Sequence, residues 1–474
     1  MQHHATRNTI RRATKGLLRK AALGAAMVGT LAGCGRDKGI TGMTDIMSTP
    51  PPVPAATLNA VYATNGGLIT VGPGAPDPMV LEAQRYYDAL GTAPATFAEW
   101  KQAFGFPERR QGETLQAFRD RTDVAVYYNR NELGLGRELG CTSFDDGVDG
   151  EGAPRRGVAC FVTNYGPGFR QGQASLRAAI NGVGVRNTVC ISYRPSLEPG
   201  YEVQFYVYGA EGARQDWAQL DTLGARPQPH VCMDCHGGAY DDAKHLAKNA
   251  RFLPIDPNLV MFASGPSDAP GVTRAGQEER LRVLNVMATE TPLTGAQREM
   301  LDQLYGGAVK EMGRAATGDA VPAGWGASRV DADFYRGVVR PYCGTCHLAS
   351  QKGLGENDRP SYGRFLTAAD FDAYPMQAFV CNGFTMPNAQ PTLLHFWDVA
   401  SNPGVSIGGV LHPTAADAFL ARRGLDRATC AKYAETAGCE RGGALADQMC
   451  GGAVNGGATC DMDTGRCEPV VSKL

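Results

Sequence analysis

The chain has 474 residues, enough to bury several cores, and its 43% hydrophobic and 20% charged residues exclude both a multi-span membrane protein and a disordered chain. Residues 1–33 carry six basic side chains and no acid; without them, 40 basic stand against 48 acidic residues, a formal −8. That balance argues against nucleic-acid binding and suits a cationic partner. Fourteen cysteines point to an oxidising compartment, metal or haem ligation, or a combination of these.

The N-terminus reads as an export signal: a basic stretch followed by an apolar run from Ala21 to Ala32, too short to span a bilayer as a helix. The run ends in Leu31-Ala32-Gly33-Cys34, which resembles the lipobox of bacterial lipoproteins. The resemblance implies that residues 1–33 are removed and that Cys34 becomes the lipid anchor. With Gly35 rather than Asp after it, it also implies the outer membrane, facing the periplasm or the cell surface. An ordinary signal cut elsewhere is the alternative. Residues 35–58, with Thr49-Pro50-Pro51-Pro52, read as a Pro-rich tether.

Residues 59–225 are expected to form an α+β domain with an antiparallel sheet. A helix is predicted over Met79–Leu90, and another from Thr96, where Glu99 completes a T-x-x-E capping box ahead of Trp100. Strand-like runs cover Val124–Tyr128, Gly157–Val162, Thr188–Tyr193 and Glu202–Tyr208; the alternation of Val203, Phe205 and Val207 in the last predicts a half-buried strand. The segment contains no histidine and no G-x-S-x-G, H-E-x-x-H or phosphate loop, so familiar hydrolytic chemistry is not expected there. The cluster Asp145, Asp146, Asp149 and Glu151 could hold calcium but reads better as a solvated Gly-rich loop. Of Cys141, Cys160 and Cys190, two are expected to pair and the third to find a partner elsewhere.

Two segments carry the chemistry: Cys232-Met233-Asp234-Cys235-His236 and Cys343-Gly344-Thr345-Cys346-His347. Both are C-x-x-C-H, the attachment pattern of c-type haem, and chance would supply only about 0.007 such matches in a chain of this composition. Cysteines three apart on one helical turn can each form a thioether to one porphyrin, and the adjacent histidine then ligates the iron. A zinc centre drawing on both pairs is disfavoured because they lie more than a hundred residues apart. Two covalently bound haem c groups are therefore expected, on Cys232, Cys235, Cys343 and Cys346, with His236 and His347 as iron ligands.

Residues 226–325 and 326–425 then read as two mainly α units, each around one motif. Before the second motif, a helix opening at Asp331 places Phe334, Val338 and Tyr342 on one face, which resembles the N-terminal helix of class I cytochromes c. Thr385-Met386-Pro387 is similar to the Met-Pro of that family, which implies Met386 as distal ligand, with His395 as rival. The first unit offers Met261, in a loop after Leu253-Pro254-Ile255-Asp256-Pro257, ahead of His245; Met287 falls in a predicted helix over Gln277–Ala288, and Met300 and Met312 are further candidates. Residues 426–474 hold Cys430, Cys439, Cys450, Cys460 and Cys467 among many glycines and resemble short, EGF-like disulfide-rich modules, with Cys381 as a sixth partner.

Three phrases, Asn131-Glu132-Leu133-Gly134-Leu135-Gly136-Arg137, Val158 to Gly166, and Pro227-Gln228-Pro229 leading into Cys232, stand with Arg251-Phe252-Leu253-Pro254 and the Met386 loop. Together, over roughly residues 59–425, they resemble a family of secreted, largely uncharacterised dihaem cytochrome-c-like lipoproteins of environmental bacteria. The resemblance implies covalent haem and export. The leading expectation is an electron carrier at the cell envelope, passing single electrons between protein partners. A dihaem peroxidase, reducing hydrogen peroxide at an open first haem, is the runner-up, although that family begins close to its first haem and here a long domain intervenes. A structural or sensory haem protein is the third.

Overall fold

The computed structural model describes residues 60–62, 69–71, 78–167, 171–218, 226–265, 270–318, 320–349, 365–373, 380, 390–397, 404–429, 458–461 and 466–469. At its centre lies a five-stranded antiparallel meander in the order β1 (Val124–Asn129), β2 (Leu135–Val148), β3 (Pro154–Tyr165), β4 (Val185–Tyr193) and β5 (Val203–Gly209). Four of these strands are the four strand-like runs of the sequence. The fifth, β2, has no alternating pattern because glycines and charges interrupt it, and each interruption has a partner. A Cβ on Gly136 would stand 1.9 Å from the Ser175 carbonyl oxygen, so glycine is what lets α4 (Gly172–Asn181) cross so close. Glu138 is buried because Arg119 holds it, Nε to Oε2 at 3.0 Å, while the same guanidinium donates to the Ile180 and Ala179 carbonyls at 2.6 and 2.8 Å.

Both faces of the sheet are covered. On one face, α1 (Pro78–Ala89), α2 (Phe97–Ala103), α3 (Leu115–Asp120) and α4 close over an aromatic core. Phe161 meets Phe97 and Phe106, each at 5.3 Å between centroids, and Trp100 meets Tyr206 at 6.3 Å. The opposite face packs on α5 (His230–His236), through Val189 and Val207 against Val231, and on α6 (Arg274–Thr289), through Ala125 and Leu139 against Leu281 and Leu284. This double cover corrects the half-buried reading of β5: all its residues are buried, because Tyr206 and Tyr208 stand on one covered face of the sheet and Phe205 and Val207 on the other. The core runs without a break across residue 225, from Tyr86 to Ala320.

Side chains close both sheet edges. At β5 the Tyr86 hydroxyl accepts from the Phe205 N–H at 2.7 Å and donates to the Phe205 carbonyl at 3.2 Å. At β1 the Gln277 amide accepts from the Val126 N–H at 2.6 Å and donates to its carbonyl at 2.9 Å. Tyr128 pairs both its backbone groups with Met261. These contacts satisfy the groups that an edge strand would otherwise present.

Several helices begin where a hydroxyl accepts an orphan N–H, whereas α4 and α5 have no side-chain cap. Thr96 caps α2 with both halves of the expected box, and Thr294 does the same for α7 (Gly295–Tyr305). The predicted helices over 79–90 and 277–288 appear as α1 and α6. From Ser328 a single helical run leads into the second motif: α8 (Arg329–Phe334), a π-helical segment (Tyr335–Gly344) and α9 (Thr345–His347). Pro341 lies inside the π segment, where it cannot donate to a regular α turn. With α10 (Ala368–Ala373), α11 (Gln390–Trp397) and α12 (Ala415–Arg422), this run surrounds a separate core centred on Trp325, Phe334, Phe371 and Phe419. Phe334 and Val338 are buried in it and Tyr342 packs against it, as the spacing predicts. Arg340 joins the two cores, its Nε 2.6 Å from Asp256 Oδ2. In the tail, Ala458–Asp461 pairs with Arg466–Pro469 and sets Cys460 directly opposite Cys467. Cys34, Cys381, Met386, Cys430, Cys439 and Cys450 lie outside the described residues.

Candidate functional site

The first motif sits on α5, one short helix pressed on the sheet. Gly237, at φ 67°, ends the helix immediately after His236, a conformation that favours glycine. The imidazole is thereby released to face Phe205, with ring centroids 5.2 Å apart, and its Nδ1 lies 2.7 Å from the Arg251 carbonyl oxygen. A carbonyl only accepts, so Nδ1 carries the proton and Nε2 keeps the lone pair that a metal ligand needs. Burial pushes His236 down to about 4, against the upward pull of that carbonyl, and the ring is neutral at physiological pH. Burial also raises the Cys232 thiol to about 12, Gln228 opposing it. Asp234 lies 3.4 Å from Arg226, and both are buried.

The second motif ends the long helical run. His347 lies beside Phe365, ring centroids 4.1 Å apart and planes tilted by 40°, and is lowered to about 4 by burial, while burial raises Cys343 to about 12. The Leu348 carbonyl just beyond accepts from the Thr294 hydroxyl at 2.6 Å, fastening the end of α9 to the start of α7.

The fold brings the two motifs together. Helices α5 and α9 pack on each other, and the Cys346 thiol hydrogen-bonds Cys235; that bond first, and then burial, holds Cys346 well above the usual thiol range. Neither C-x-x-C pair closes a disulfide. Sequence separation is therefore no argument against a zinc centre shared by both pairs. Among the described residues no three His, Cys, Asp or Glu side chains gather as a metal-binding group.

The remaining candidates are dispersed. Met261 is fixed by its backbone to the β1 edge with 37% of its surface exposed. His245 adopts φ 55° in the turn between Ala239–Asp241 and Leu246–Lys248, with its Nδ1 3.2 Å from the Tyr240 hydroxyl. Met300 is buried in the first core, Met287 packs against it, and Met312 is exposed. His395 is buried on α11 beside Phe396. The acidic cluster is used locally: Asp146 holds Arg194 and the Ser196 N–H, and Asp145 and Asp149 cap their own turns. Cys141 and Cys160, opposite each other on β2 and β3, form a disulfide, and Cys190 on β4 is a buried free thiol rather than half of a second bridge.

Sequence reasoning missed three contributors: the Arg251 carbonyl and Phe205 around His236, and the turn residue Glu132, which acts electrostatically on both His236 and Cys346. A backbone carbonyl leaves no trace in a sequence; the Glu132 phrase stands out but its position is set by tertiary folding. No family model, curated protein or solved structure matches the chain. Among the described residues no helix is long and apolar enough to cross a membrane.

Proposed function

We propose that the chain is a dihaem c-type cytochrome that passes single electrons between partner proteins at the bacterial cell envelope, held at the outer membrane through Cys34. Haem c attached at Cys232 and Cys235 with His236 on the iron, and at Cys343 and Cys346 with His347, would supply a reversible one-electron couple at each site. Met386 and Met261 are the proposed distal ligands.

The observation that carries the reading is the contact between the motifs: Cys235 touches Cys346, so the two attachment points adjoin although the chain separates them widely. Electron transfer falls steeply with distance, and adjoining sites favour a relay. The chain's own residues fit the group in two further respects. The Arg251 carbonyl orients His236 with Nε2 available, and all four motif thiols remain unpaired in disulfides. Phe205 lies against the His236 ring and Phe365 against the His347 ring.

The test is optical and EPR spectroscopy of the purified holoprotein with a haem stain. Two low-spin, six-coordinate haems inert to peroxide are expected, and Cys232→Ala/Cys235→Ala or Cys343→Ala/Cys346→Ala should each remove one. Covalent haem retained with all four cysteines replaced would overturn attachment, and a high-spin haem that turns over peroxide would replace the carrier with a peroxidase. Cys34→Ala should move the protein to the soluble fraction; unchanged fractionation would overturn the anchor.

A further inference from the structure

The phrase Arg251-Phe252-Leu253-Pro254 supplies no ligand to the reading above, yet the fold holds its backbone from three sides. Arg251 pairs both its backbone groups with His236: its N–H donates to the His236 carbonyl at 2.9 Å, and its carbonyl accepts from the imidazole Nδ1 at 2.7 Å. The Phe252 carbonyl accepts from Gln297 Nε2 of α7 at 2.7 Å. Ile255, just beyond the phrase, bonds the Asn285 side-chain amide of α6 through both its N–H and its carbonyl, each at 2.9 Å.

The start of α7 reaches the second motif as well. Gln297 Oε1 accepts from the Thr294 N–H at 2.9 Å, and the Thr294 hydroxyl accepts from the Gln297 N–H at 3.1 Å. That hydroxyl in turn donates to the Leu348 carbonyl at 2.6 Å. Leu348 follows His347 directly and packs against the first core. A line of hydrogen bonds and single peptide steps therefore runs from the His236 ring through Arg251, Phe252, Gln297 and Thr294 to Leu348 and His347. Gln297 is fully buried, and Thr294 and Phe252 are nearly so. In such a place a broken link leaves a polar group unmade, and a satisfied network favours one arrangement.

We infer that Thr294 and Gln297 are positioning residues that fix the two haem-ligand histidines relative to each other. The inference rests on the dihaem reading. A carbonyl bonded to a ligand histidine sets the orientation of its ring, so a shift of Arg251 turns His236. On the other side, Leu348 is the residue next to the ligand. Helices α5 and α9 also pack on each other, but they are only seven and three residues long. The α7 link adds a second hold on the same two histidines, and a relay depends on the spacing and angle of its two centres.

The experiment is pulsed EPR of the oxidised full-length holoprotein, reading the dipolar coupling between the haems and the g values of each. The wild type should show one narrow coupling. Gln297→Leu keeps the side-chain volume and breaks the link to Phe252, whereas Thr294→Val keeps the shape and breaks the link to Leu348. Both should broaden the coupling, with the g values of the His236 haem shifting in the first and those of the His347 haem in the second. Thr294→Ser retains the hydroxyl and should restore the wild-type spectrum. Gln277→Leu, which unseals the β1 edge, controls for lost stability and should leave the coupling narrow. An unchanged coupling in both Gln297→Leu and Thr294→Val overturns the inference. Equal broadening in Gln277→Leu overturns it too, since general loosening would then be the cause. Absence of covalent haem from the wild-type chain would defeat the dihaem reading itself, and the inference with it.

Discussion

The two C-x-x-C-H segments share a pattern and differ in nearly everything that positions it. The first occupies a seven-residue helix laid on a β-sheet, with its histidine fixed by a carbonyl from the following loop. The second ends a helical run that includes a π segment and points into an aromatic core of its own. The first motif thus borrows rigidity from strands far away in the chain, and the second makes its own from neighbouring helices. The same local chemistry is compatible with either support, because the motif needs only one helical turn and a buried neutral histidine.

The largest effect that would sharpen this contrast is Trp325→Ala. Trp325 is fully buried and donates its Nε1–H to the Phe365 carbonyl at 2.7 Å. Its removal should cost about 3–5 kcal/mol, and hydrogen exchange should quicken across 329–347 and 415–422 while β3 and β4 keep wild-type protection. Equal loss of protection in the sheet would break the distinction between the regions.

Gln277→Leu probes the other support. It keeps the side-chain volume but leaves the Val126 N–H and carbonyl without their partner, which should cost about 1–3 kcal/mol by chemical denaturation. Exchange should rise in β1 and not in α12; the reverse pattern would contradict the edge-closing role. Thr294→Ala touches the junction, removing the cap of α7 and the bond to Leu348, and about 1 kcal/mol should be lost. Here exchange at both α7 and α9 should rise, and a change confined to α7 would show that the junction is slack.

The smallest effect is acid sensitivity of the second region. Asp331 is held below the usual carboxylate range first by the Ser328 hydroxyl and then by Arg422. Asp417 is raised by burial, but the Arg427 and Thr414 hydrogen bonds together bring it below that range. A carboxyl depressed in the folded state contributes stability that is complete above about pH 4 and is lost as pH falls through the lowered values. Asp331→Asn/Asp417→Asn should therefore flatten the loss of thermal stability below about pH 4. An unchanged slope would assign that loss to other groups.

Much of this contrast could be read before folding was considered. Strand-like runs mark four strands, the capping box at Thr96 marks α2, and the spacing of Phe334, Val338 and Tyr342 marks the helix before the second motif. The strand β2 escaped because its pattern follows its partners rather than a period: Gly136 answers to Ser175, Glu138 to Arg119, and Arg137 to Glu132. Helix α4 escaped for the same reason, since its small residues make sense only against that glycine. The motifs themselves were fully legible, whereas their contact was not. Nothing local in either five-residue segment indicates that Cys235 and Cys346 touch.

The side chains that close the sheet have a consequence for the order in which the chain can be completed. β1 is sealed by Gln277, 151 residues further on, and β5 by Tyr86, 119 residues before it. A chain emerging from its N-terminus carries the β5 seal before the strand exists but must wait long for the β1 seal. Until α6 has emerged, β1 offers open backbone groups to any passing strand, which is a hazard for association between copies. Cys232, Cys235 and His236 all emerge within that interval, while the sheet beneath them is still open on one side.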